Sequence, residues 1–176
     1  TPDAKTYTFE LRPQARFASG SQVTADAVIA SIDRIITDPA VLPVLKSQMA
    51  PIESMRAVDE NTVEFVLKQP SHNWLYSMAQ TAGIIYDPAG SATRATQPAG
   101  SGPFVFEQWT QGDSVVLKRN DNYWGTPTKL AGVTFKYFTD ANAMNAAMLA
   151  GQLDVVSNVA APQALDQFND PRFTIL

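Results

Sequence analysis

The chain of 176 residues contains no cysteine and a single histidine, His72. Without thiols it forms no disulfide, no thiolate metal site and no cysteine nucleophile. One imidazole excludes any multi-histidine metal site. Its thirteen Lys and Arg are scattered singly against seventeen Asp and Glu, giving a net charge of -4 and a pI near 4.9. No basic stripe is available to neutralise phosphates, so nucleic acid is not an expected partner. No apolar run approaches the roughly 20 residues needed to span a bilayer, and no basic segment followed by an apolar one opens the chain. The reading at this stage is a processed or truncated chain. What the sequence does hold is enough apolar material, 45% of residues, to build a core.

Tyr7, Phe9 and Leu11 alternate with Thr8 and Glu10 at the period of a half-buried strand. The run from Ala18 to Ser21 reads as a turn leading to Thr24, whose hydroxyl suits a helix N-cap. Ala25, Val28, Ile29, Ile32, Ile35 and Ile36 then recur at helical spacing, and Asp38-Pro39 stops the helix. A weaker helical pattern between Ala40 and Met49 is interrupted by Pro43. Ile52 to Val58 and Thr62 to Leu67 flank Asp59-Glu60-Asn61 and predict an antiparallel hairpin. Trp74, Leu75 and Met78 suggest one or two helical turns, and Gly83 to Tyr86 a short extended segment.

From Pro88 to Gly102 the composition shifts to Gly, Ser, Ala, Thr and Pro, marking a boundary or crossover. Beyond it, Phe104 to Trp109 and Ser114 to Lys118 predict a hairpin around Thr110-Gln111-Gly112-Asp113, and Val133 to Phe138 a further strand. Asp140 is placed to cap a helix through about Ala150, with Gly151 at the left-handed C-cap. Extended structure is expected at Leu153 to Val156 and Phe173 to Leu176, with a helix after Pro162. The pattern predicts an α/β (mixed α+β) chain with mixed sheets and flanking helices in two lobes or subdomains.

Three stretches carry a resemblance. The first is Thr6-Tyr7-Thr8-Phe9-Glu10-Leu11-Arg12 through Phe17 and Gly20 to Thr24-Ala25-Asp26-Ala27-Val28. The second is Gly100-Ser101-Gly102-Pro103-Phe104, followed by Leu117-Lys118-Arg119-Asn120-Asp121-Asn122-Tyr123-Trp124-Gly125. The third joins Val133-Thr134-Phe135 to Asp140-Ala141-Asn142 and then Leu149-Ala150-Gly151-Gln152-Leu153-Asp154. Their order and spacing resemble the family 5 extracellular solute-binding proteins, which include the dipeptide, oligopeptide and nickel-binding components of ABC importers. Pro13-Gln14-Ala15-Arg16, in place of the family's glycine-containing turn, and Ala27 depart from that pattern.

The resemblance implies a periplasmic-binding-protein type II-like fold in which a solute is gripped between two lobes. Residues 1–97 would form a partial accessory subdomain of the first lobe and residues 98–176 part of the main-sheet lobe, with the second lobe absent. It also implies capture of a small solute, a peptide above all, outside the cytoplasmic membrane and delivery to ABC permease subunits. A monomer is expected, without catalysis, cofactor or metal.

Trp74, Tyr76, Gly83 and Ile84 are the candidate ligand-contacting residues, since this part of the family's accessory region approaches ligand. Core packing is the competing role for the aromatics. Gly100, Gly102 and Pro103 could line a site but read first of all as chain punctuation. Tyr123 and Trp124 could stack on a ligand or anchor a core. His72 reads as a solvated loop residue, and Glu53, Asp140 and Asp154 are too dispersed to pair as acid and base. Two alternatives differ in kind. A hydrolase would need Ser77, Ser91 or Ser101 as nucleophile, but none sits in a nucleophile elbow or beside a signature histidine. A receptor or interaction domain could use the same fold without transport.

Overall fold

The computed structural model describes residues 3–90, 92–93, 95–157 and 162–175, with side chains 162–164 left out. Two compact units are present, one made of Thr1–Trp109 with Val116–Thr134 and the other of Thr110–Val115 with Phe135–Leu176.

The first unit is organised by an antiparallel sheet in the order β1-β3-β2, with β1 at Thr6–Glu10, β2 at Ile52–Asp59 and β3 at Thr62–Leu67. The predicted hairpin joins β2 to β3, and β1 adds in register with Tyr7 opposite Phe65 and Phe9 opposite Val63. Because successive side chains alternate between faces, Val63, Phe65 and Leu67 all enter the core. Trp74 lies on them, its ring centroid 5.1 Å from Tyr7 and 5.2 Å from Phe65. Full burial of a side chain such as Phe65 contributes about 1.5–3 kcal/mol.

Helix α1 (Ala25–Thr37) starts where Thr24 accepts a hydrogen bond from the Ala27 amide at 3.3 Å, as its N-cap position predicts. Val28, Ile32 and Ile35 pack into the core, but Ile36 is exposed, at the margin of the expected stripe. Ser31 is buried among them without penalty. Its hydroxyl donates to the Ala27 carbonyl at 2.8 Å and accepts from the Tyr86 amide at 3.2 Å. Pro43 does not interrupt α2 but begins it, at Pro43–Met49. That is a first-turn position, where the N–H has no intrahelical partner to lose. Helix α3 (Asn73–Met78) is followed by a single 3-10 turn at Thr81–Gly83.

Strands β4 (Phe104–Thr110), β5 (Ser114–Arg119) and β6 (Gly132–Lys136) form the second sheet in that order. The β4–β5 turn closes through the Asp113 amide on the Thr110 carbonyl at 3.0 Å, with Gly112 at φ +77°. A side chain at Gly132 would come within 2.7 Å of the Leu117 carbonyl oxygen, so glycine sets the approach of β6 to β5 there. In the second unit, α4 (Ala141–Leu149) has both expected ends: Asp140 accepts from the Ala143 amide at 2.7 Å, and Gly151 takes φ +71°. The turn after Pro162 is a 3-10 helix over Pro162–Phe168.

Two expected strands do not form among the described residues. Leu153 to Val156 is irregular, as is the described part of the last segment, Phe173 to Ile175; Leu176 lies outside the described residues. A strand needs a hydrogen-bonded neighbour, and the second sheet contains only β4, β5 and β6. Apolar side chains alone do not make one.

Candidate functional site

The four candidate contact residues occupy different environments. Trp74 is only 2% exposed, within the Tyr7–Phe9–Phe65 cluster, and its indole Nε1 has no hydrogen-bond partner among the described residues. Tyr76, two positions on along the short α3, is 71% exposed, and Ile84 is 59% exposed. Gly83 sits between them in the tight turn. A Cβ there would overlap the Met78 carbonyl group and lie 2.8 Å from the Met78 Cα, so only glycine lets the chain pass α3 this closely. Ala82, fully buried, pins the turn to the core, and Gln48 on α2 donates to Gln80 at 2.8 Å. The local sequence therefore presents Tyr76 and Ile84 outward on a backbone held rigidly from below. The offered surface is an exposed phenol and an aliphatic side chain.

The crossover is fixed more firmly than its composition suggests. Five successive carbonyls, from Ala99 to Pro103, each accept a hydrogen bond. The Asp87 amide donates to Ala99 at 2.9 Å and the Ala18 amide to Gly100 at 2.9 Å. Trp124 Nε1 donates to Ser101 at 2.9 Å, Asn120 Nδ2 to Gly102 at 3.0 Å, and the Asn120 amide to Pro103 at 2.9 Å. Asn120 is buried, and its Oδ1 accepts from the Asn122 amide at 3.1 Å, so its side chain serves both loops. Asp87, also buried, accepts from the hydroxyls of Ser19 and Ser21 and from the Ala89 amide. These hydroxyl and amide donors offset the cost of a buried carboxylate.

Asn120 and Asp87 were not among the candidates, and Trp124 was weighed only as a ligand-stacking residue or a core anchor. Their signal was the Asn-Asp-Asn-Tyr-Trp run and the Asp-Pro pair, whose side-chain-to-backbone bonds become readable only once the partner loop is known. Trp124 is half-buried with Tyr123 tilted on it at 5.2 Å and the Arg12 guanidinium 5.4 Å over its ring, which assigns both aromatics to packing in this unit. Neither Gly100 nor Gly102 has a positive φ, and a Cβ at Gly100 would meet nothing within 4 Å.

Groups suited to chemistry stay apart. His72 is exposed at the start of α3, and no hydrogen bond joins it to Ser77 or Ser101 among the described residues. Ser91 lies outside the described residues. Glu53 pairs with Lys5 at 3.5 Å, and Asp140 is spent on its helix cap. Among the described residues no three His, Cys, Asp or Glu side chains gather to hold a metal ion. The carboxyl of Asp170 is held below its usual range, first by the side-chain hydrogen bond from Arg172 and then by the Arg172 amide. Among the described residues, no helix is long and apolar enough to cross a membrane.

The family model described as bacterial extracellular solute-binding proteins, family 5 Middle, matches residues 1–175. The probable D,D-dipeptide-binding periplasmic protein DdpA of Escherichia coli K12 is 32% identical over 95% of this chain and 34% of its own length. The glutathione-binding protein GsiB of the same strain is 31% identical over 92% of the chain and 32% of its own. Among solved structures, the periplasmic binding protein AgaA in complex with agropinic acid, from A. tumefaciens R10, superposes with a TM-score of 0.85 at 33% identity. That match covers 97% of this chain and 35% of AgaA. The fold is therefore that of the periplasmic binding proteins, as the sequence resemblance implied. The chain spans about a third of the length of the curated relatives it matches. It belongs to the family 5 bacterial extracellular solute-binding proteins.

Proposed function

We propose that this chain is part of the substrate-binding component of an ABC importer, capturing a small solute outside the cytoplasmic membrane and handing it to the permease. The observation that carries the reading is the family match over residues 1–175. The dispersal of His72, the serines and the carboxylates supports binding rather than bond cleavage. Peptides are the favoured solute class, since DdpA is named for D,D-dipeptides and GsiB for glutathione. Residues 1–97 act as accessory subdomain and residues 98–176 as part of the main-sheet lobe, with a second lobe completing the grip. Ligand favours the closed arrangement because it contacts both walls only there. Tyr76 and Ile84 contact the solute, Gly83 sets the backbone that carries Ile84, and Trp74 supports this wall from the core.

The experiment is calorimetric titration of the full-length protein with D-Ala-D-Ala, L-dipeptides, longer peptides, glutathione and nickel. One peptide class should bind at one site with a Kd of about 1 μM or below, which is near -8 kcal/mol. Tyr76→Ala should weaken it at least tenfold with no change in unfolding midpoint, since that side chain is 71% exposed. Residues 1–176 alone should bind weakly or not at all. Absence of binding to every solute would refute the transport reading, and an unaltered Kd in Tyr76→Ala would refute the assigned wall.

A further inference from the structure

We draw no further inference here: the strongest candidate, the Gly100-Ser101-Gly102 stretch of the crossover, whose carbonyls are all held by protein donors while its amide groups have no protein acceptor among the described residues, is a run of small residues with no second observation that points to a ligand.

Discussion

Gly83→Ala and Gly100→Ala make the same chemical change and should have opposite outcomes. At Gly83 the added methyl overlaps the Met78 carbonyl group and falls 2.8 Å from the Met78 Cα, and the obstacle is backbone rather than a side chain that could rotate away. Relief requires moving the 3-10 turn off the end of α3. That movement strains the Gly83 amide bond to the Gln80 carbonyl, now 3.0 Å, and lifts the fully buried Ala82. Overpacking of this kind costs about 1–3 kcal/mol, and losing one hydrogen bond about 1 more. A destabilisation of roughly 2–4 kcal/mol is expected, which at a urea slope of about 2 kcal/mol/M lowers the midpoint by about 1–2 M. At Gly100 a Cβ meets nothing within 4 Å and φ is not positive, so the midpoint should move by less than about 0.5 kcal/mol equivalent. All three tryptophans lie in the first unit, so fluorescence-detected urea unfolding reports on the right part of the molecule. Equal shifts in the two variants, or a Gly83→Ala midpoint within 0.3 M of the parent on that same roughly linear scale, would refute the close-approach argument.

Two further outcomes follow from named contacts. Asn120→Ala removes the donor to the Gly102 carbonyl and the acceptor for the Asn122 amide in a buried position, and should cost about 2–3 kcal/mol in the same unfolding assay. Asn120→Asp keeps the acceptor for Asn122 but sets a carboxylate oxygen against the Gly102 carbonyl oxygen in a buried position, and should lose at least as much. For Asp170 the folded carboxyl titrates below its unfolded value, so its stabilising contribution is complete above the usual carboxylate range and disappears as pH falls through the folded value. An NMR titration should find the Asp170 carboxyl low in the parent and raised in Arg172→Gln, and an unchanged titration would remove Arg172 as the cause.

Local signals read well where one element's own residues decide the outcome. Thr24 and Asp140 at helix starts, Gly151 at a helix end and Gly112 in a hairpin turn each act within a few positions along the chain, and each is where the sequence placed it. The stripe on α1 was mostly right, but its edge was not. Ile36 turned outward while Ser31, nominally polar, entered the core because the Ala27 carbonyl and Tyr86 amide satisfy its hydroxyl. Leu153 to Val156 has the composition of a strand but no strand partner among the described residues. The crossover shows the deeper limit. Its glycines and proline marked a boundary or crossover without showing its partners: donors from Ala18, Asp87, Asn120 and Trp124, all distant in sequence, hold it carbonyl by carbonyl. For the candidate wall, aromatic character alone could not separate Trp74, buried under the sheet, from Tyr76, two residues on and facing outward.

The proposal most in need of a test is that the full-length protein holds a solute without altering it. The most direct measurement is to saturate the full-length protein with the peptide it binds, remove free ligand, denature, and identify what is released by liquid chromatography and mass spectrometry. The account predicts intact peptide at one equivalent per chain after prolonged incubation. Release of cleavage products that accumulate with time would contradict it.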